Sequence, residues 1–168
     1  QGEILYTYDG AGNLIRVTDS LGITTSMEYS KTGKLTGITD GEGNKTAYSY
    51  DALGQLVSAV YADESADYFA YDKRGNLLYK KEGDTRLTEY TYDETGRLTA
   101  VTDVFGNRTL YDYDKAGNLI KETAPDGSKN VYAYDGAGRM VSETLSDGGS
   151  YLYEYDLRGN LTKLTGPT

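Results

Sequence analysis

The chain is 168 residues long, carries a net charge of −9, and contains neither cysteine nor histidine. Those absences exclude disulfides, thiol nucleophiles, histidine general bases and the common zinc ligand sets from this chain. The negative charge, with its lysines and arginines scattered, argues against nucleic acid as a partner, and no apolar run reaches membrane-spanning length.

Glycine at 21 positions and proline at 2 favour turns, and 18 tyrosines with abundant threonine and valine favour strands. No segment sustains the apolar spacing of a helix. The first element pair lies at Tyr6-Thr7-Tyr8-Asp9-Gly10-Ala11-Gly12-Asn13-Leu14. Asp9 is suited to accept a hydrogen bond from a backbone N–H two residues on. Gly12 supplies the positive φ that closes a type I turn with a following bulge. This pairs Asp9 with Asn13 and sets Tyr8 opposite Leu14.

That hairpin is then rewritten. The tyrosine recurs as Tyr29, Tyr50, Tyr71, Tyr92, Tyr113, Tyr134 and Tyr155, always 21 residues apart. The acid recurs as Asp51, Asp72, Asp93, Asp114, Asp135 and Asp156, with Ser30 in the second copy. The glycine recurs as Gly33, Gly54, Gly75, Gly96, Gly117, Gly138 and Gly159, and Leu14 as Leu35, Leu56, Leu77, Leu98, Leu119, Met140 and Leu161. A fixed period of this kind announces a repeat architecture. The fold class is therefore all-β: tandem antiparallel β-hairpins, about two strands per repeat, forming a twisted or spiralling ribbon. Residues 1–168 read as one array of eight repeats, in phase at both ends and so a piece of a longer array. Its N-terminus carries no signal peptide pattern.

Between these hairpins runs a second turn, with glycine at Gly22, Gly43, Gly106, Gly127 and Gly148, and Glu64 and Thr85 in the other two copies. Asp126-Gly127 and Asp147-Gly148 predict two-residue type I′ loops. Tyr61–Ser65 and Glu82–Arg86 lack that chemistry and should hold the least regular turns. The first glycine, present in every copy, should be the less replaceable: Gly96→Ala is expected to be more damaging than Gly127→Ser.

A period of 21 is odd, so one loop must hold an even number of residues or a bulge must intervene for side chains to keep their face. With a two-residue second loop, Leu14 lies opposite Tyr29, giving one continuous row of alternating tyrosine and leucine. Beside it run a row Tyr6, Arg16, Met27, Gly37, Tyr48, Ser58, Phe69, Tyr79, Tyr90 and a threonine row that includes Thr18, Thr25, Thr39 and Thr46. The other face mixes Ile15, Val57, Ile120 and Val141 with Glu28, Ser49, Asp112 and Glu154. The tyrosine–leucine face is thus the candidate dry side and structural spine.

An acid repeated at every turn serves the turn, whereas an active site needs asymmetry, so no catalytic, cofactor-binding or metal-ligating residue is assigned. Neither an EF-hand loop nor a nine-residue calcium roll is present. The tyrosines offer flat faces for sugar rings, which leaves a carbohydrate- or cell-wall-binding hairpin solenoid as the alternative. Such solenoids lean on tryptophan, and this chain has none.

The motif Y-x-Y-D-x-x-G-[N/R]-L-x-x-x-T-D-x-x-G-N, seen at Tyr90–Asn107 and, with Gln55 in the [N/R] place, at Tyr48–Leu56, resembles the RHS/YD-repeat family over the whole chain. That resemblance implies a hairpin ribbon spiralling into a hollow shell. Such shells enclose a C-terminal toxin domain in bacterial polymorphic toxins and insecticidal toxin complexes. In teneurin-like and wall-associated proteins they belong to a large surface molecule. It further implies a secreted or cell-surface setting, a non-catalytic structural role and no cofactor. The partners it implies are flanking YD repeats and an enclosed toxin domain; the alternative reading adds a cell-surface glycan, and edge strands near Ile4–Tyr8 and Leu161–Thr165 favour end-to-end self-association. No D-P-x-G core motif for self-cleavage is present, so neither cleavage nor toxicity falls to these residues.

Overall fold

The computed structural model describes residues 2–167. Among them are sixteen strands and no helix, and the chain divides into two compact units, Gln1–Leu87 and Thr88–Thr168. The first holds β1 (Leu5–Tyr8), β2 (Leu14–Thr18), β3 (Thr24–Tyr29), β4 (Leu35–Thr39), β5 (Lys45–Tyr50), β6 (Leu56–Val60), β7 (Ala66–Tyr71) and β8 (Leu77–Glu82). The second holds most of β9 (Arg86–Tyr92), then β10 (Leu98–Thr102), β11 (Arg108–Tyr113), β12 (Leu119–Thr123), β13 (Lys129–Tyr134), β14 (Met140–Thr144), β15 (Ser150–Tyr155) and β16 (Leu161–Thr165). Within each unit hydrogen-bonded neighbours are consecutive in the chain and antiparallel. The architecture is the tandem β-hairpin array that the sequence predicts.

The first turn forms as read. The Asp9 N–H donates to the Asn13 carbonyl at 2.9 Å, the Gly12 N–H to the Asp9 carbonyl at 3.1 Å, and Gly12 sits at φ +88°. Tyr8 faces Leu14, and the same pairing recurs down to Tyr155 and Leu161.

The second turn is not the two-residue loop expected. The Asp19 N–H donates to Ile23 O and the Gly22 N–H to Asp19 O, which is the hydrogen-bonding of the first turn over again. Ala124 to Ser128 and Leu145 to Gly149 do the same, so Asp126-Gly127 and Asp147-Gly148 close three-residue loops. Parity is restored instead by a bulge in every first hairpin. Tyr8 faces Leu14 but Thr7 faces Arg16, so Ile15 is unpaired. Thr36, Val57, Leu78, Thr99, Ile120, Val141 and Thr162 stand in the same place.

This bulge rearranges the predicted rows. Arg16 faces Ser26, so Leu14 is not directly opposite Tyr29, although both remain on one face because the bulge shifts parity once per repeat. Tyr6 faces Val17 rather than Arg16, which lies on the other face with Thr7. Tyr79, opposite Ala70, also leaves the tyrosine face. The threonines divide as well: Thr18 faces Thr24, with their hydroxyls 2.9 Å apart, while Thr25 and Thr46 share the tyrosine face.

Of the two turns expected to be irregular, one is not. Tyr61 to Ser65 keeps the standard hydrogen bonds by forcing Glu64 to φ +68°, the sole positive-φ non-glycine among the described residues. The turn after β8 does depart: its positive φ moves to Gly83 at +58°, whose N–H donates to Asp67 Oδ1 at 3.2 Å.

Burial follows the faces. In β5 the side chains of Thr46, Tyr48 and Tyr50 are half-buried, while Lys45, Ala47 and Ser49 on the other face are exposed. The tyrosine–leucine face is therefore the better sheltered one, yet no large side chain among the described residues is fully covered. The buried apolar side chains among the described residues are Ala59, on the tyrosine face beside Tyr48, and Ala100, on the other face beside Leu110.

Candidate functional site

Each signature acid works inside its own turn. Asp9 Oδ1 accepts the N–H groups of Ala11 and Asn13, both at 2.9 Å, and Oδ2 accepts Asn13 Nδ2 at 2.9 Å. Asp72, Asp114 and Asp156 repeat the arrangement with Asn76, Asn118 and Asn160. Ser30 is a weaker substitute, its hydroxyl receiving the Thr32 and Lys34 N–H groups at 3.3 and 3.1 Å. The asparagine amides, followed by the turn N–H groups, hold the Asp9, Asp72, Asp114 and Asp156 carboxyls below the ordinary carboxylate range. In Asp135 the same is done first by the Arg139 side chain, and in Asp93 by the Thr95 hydroxyl and then the Arg97 N–H groups.

The sign of the pH effect follows. A carboxyl whose folded pKa is depressed contributes stability that is fully present above its unfolded value, about 3.9, and is lost as pH falls through the folded value. Urea unfolding followed by circular dichroism should therefore show stability unchanged by these groups between about pH 7 and 5, then declining below about pH 4. A midpoint unchanged down to pH 2 would show that these turn carboxylates are energetically silent.

The residue after the turn glycine decides how one repeat meets the next. Where it is asparagine it bonds its own aspartate. Where it is longer it reaches forward: Lys34 Nζ donates to Gly54 O at 2.9 Å, Gln55 Nε2 to Gly75 O at 3.3 Å, Arg97 Nη1 to Asp114 O at 3.0 Å, and Arg139 Nη1 to Asp156 O at 3.2 Å. Three of these also cover the next tyrosine. Lys34 Nζ lies 5.2 Å from the centre of the Tyr50 ring, and the guanidinium carbons of Arg97 and Arg139 lie 5.1 and 4.8 Å from those of Tyr113 and Tyr155. The tyrosine answers across the joint, with Tyr50 Oη donating to Leu35 O and Tyr155 Oη to Met140 O, both at 2.8 Å. The sequence showed that this position varies among Asn, Lys, Gln and Arg, but a forward reach to the next repeat is visible only once the register is known.

The signature residues thus converge on a turn edge and one face of each unit. Among the described residues no three histidine, cysteine, aspartate or glutamate side chains are grouped to hold a metal ion. No helix is long and apolar enough to cross a membrane.

The RHS Repeat family model matches residues 8–45, 29–66, 71–108, 92–129 and 130–168. No curated protein matches the chain. Among solved structures, the crystal structure of TcdB2-TccC3-Cdc42 superposes over 99% of the chain with a TM-score of 0.78 at 21% identity. TcdB2-TccC3 without its hypervariable C-terminal region gives 0.78 at 22% over 99%, and the Photorhabdus luminescens Tc holotoxin pore 0.69 at 24% over 86%. The chain spans 11%, 11% and 9% of those respective chains, and at this identity the likeness is one of fold. Five matches covering most of the sequence, four of them starting at the repeat tyrosines Tyr8, Tyr29, Tyr71 and Tyr92, fall on hairpins that share one bulge and one tyrosine–leucine pairing, and the chain belongs to the RHS repeat family.

Proposed function

We propose that the chain is a non-catalytic wall segment, one continuous stretch of a longer array whose flanking YD repeats extend the sheet. Its parent then encloses a toxin domain or stands as a scaffold in a secreted or cell-surface protein. The observation that carries this reading is the forward clasp from turn to turn, made by Lys34, Gln55, Arg97 and Arg139. The chemistry of the repeat is used to hold the next repeat, and each signature acid is engaged in its own turn. The Tc toxin structures that share the fold support the enclosing role. In the longer protein, a domain held behind this wall should resist protease until the wall is opened. Cleavage as fast as that of the free domain would exclude enclosure, and specific binding on a glycan array would favour a carbohydrate-binding solenoid instead.

A wall segment on its own should also join end to end. In the 168-residue polypeptide, Tyr8 on β1 is 58% exposed and Leu161 on β16 is 52% exposed, where their counterparts in inner repeats are half-buried. Unpaired strand edges are templates for strand addition. The joint between repeats pairs Ser142 with Leu152, so in phase Lys163 of one copy would face Leu5 of the next. Such a contact is heterologous and need not close. The charge of −9 opposes it and salt screens that opposition. Sedimentation should show association rising with both protein and salt concentration; a strict monomer throughout would count against it.

A further inference from the structure

On the tyrosine face one position departs from its row in two consecutive repeats. It is Val17, Ile38, Ala59, Val101 or Leu164 in five repeats and Lys80 in another, but Glu122 and Glu143 in the sixth and seventh. The register sets Glu122 opposite Tyr111 and Asn130, and Glu143 opposite Tyr132 and Tyr151. Tyr153 Oη donates to Glu143 Oε2 at 3.2 Å. Both glutamates are half-buried among phenol rings. Burial first, and then these carboxylates, push the Tyr111 and Tyr132 phenols above the ordinary tyrosine value.

Three acids on the other face have cations. Glu28 pairs with Lys45, Asp112 with Lys121 and Glu154 with Lys163. Among the described residues the ion pairs include neither Glu122 nor Glu143. The rings of this face already accept cations elsewhere, as Arg97 over Tyr113 and Arg139 over Tyr155 demonstrate. A half-buried carboxylate beside such rings offers a charge-assisted hydrogen bond together with the negative ring face.

We propose that Glu122 and Glu143, with Tyr111, Tyr132 and Tyr153, form a docking face for an extended basic polypeptide. Each carboxylate takes one arginine or lysine side chain. The two glutamates lie on β12 and β14, about 9.6 Å apart across the strands, and the register staggers them by two residues of β13, from Asn130 to Tyr132, about 7 Å, so they stand about 12 Å apart. Four residues of extended chain span about 13 Å and return to the same side, so a segment crossing the strands obliquely would present a cation to each when every fourth residue is basic. Five repeats with an apolar residue at this position lack the charge, which confines the site to the sixth and seventh.

The test uses the 168-residue chain and a synthetic peptide with arginine at every fourth position, separated by serine and glycine. With no tryptophan present, intrinsic tyrosine emission reports directly on the face. Saturable binding is expected, weakened tenfold or more in the Glu122→Gln/Glu143→Gln variant and changed less than twofold in Glu42→Gln/Glu89→Gln, which removes equal charge elsewhere. A peptide with citrulline for arginine should not bind. Circular dichroism confirms that each variant retains its strands. The proposal is overturned by no saturable binding, by equal loss in both variants, by undiminished binding in Glu122→Gln/Glu143→Gln, or by a citrulline peptide that binds as well.

Discussion

Alanine in place of Tyr92 or Leu98 should destabilise the array by about 2 kcal/mol, whereas Thr91→Ala should cost well under about 1 kcal/mol. Large-to-small substitutions in closed cores cost about 2–5 kcal/mol, and the low end applies here because Tyr92 and Leu98 are half-buried. They face each other across β9 and β10, so either truncation removes one side of the same cross-strand contact. Tyrosine adds more than area where its hydroxyl bonds across the joint, as Tyr50 does to Leu35. There, Tyr50→Phe should cost about 1 kcal/mol for the lost hydrogen bond. Thr91 is exposed on the other face, opposite Ala100. Because repeats interact mainly with their neighbours, the loss should appear first as faster hydrogen exchange in β9 to β11. Equal costs at Thr91 and Leu98 would mean that the tyrosine–leucine face is not the energetic spine.

How far the fold could be read depended on which interactions lie within one hairpin. The Asp9 turn involves residues at most four apart, and its donors, acceptor and left-handed glycine were all legible. The bulge was not. A missing even-numbered step could be absorbed by a short second loop or by an extra residue, and Asp126-Gly127 pointed to the former. What decided the matter is that Ala124 and Leu145, which lack a carboxylate, still make the same two backbone hydrogen bonds, while Asp126 and Asp147 accept the Ser128 and Gly149 N–H groups from within the three-residue loop. Composition at the first loop position was therefore a poor guide to loop length. The candidate site was less legible still. Glu122 and Glu143 look like ordinary solvent-facing acids until the register moves them to the tyrosine face.

Gly96→Ala and Gly127→Ala should cost the same, about 1–3 kcal/mol each, although one glycine is invariant among the copies and the other is not. Gly96 sits at φ +88° and Gly127 at φ +85°, each closing a three-residue loop with the same two backbone hydrogen bonds. A Cβ at Gly127 meets no heavy atom within 4 Å, so steric contact with neighbours adds nothing to its backbone cost. Substitution thus acts through the left-handed conformation, and the expectation that Gly96 matters more is revised. The second turn tolerates other residues for two separate reasons. Around Thr85 the turn is rebuilt so that Gly83 carries the positive φ, while Glu64 remains in the glycine position under strain at φ +68°. Glu64→Gly should therefore stabilise the first unit by about 0.5–1 kcal/mol, relief of a left-handed residue being partly offset by the greater freedom of glycine in the unfolded chain. Urea unfolding of the three variants side by side decides the matter. If Gly127→Ala were neutral or Glu64→Gly destabilising, the second turn would be held by something other than its backbone geometry.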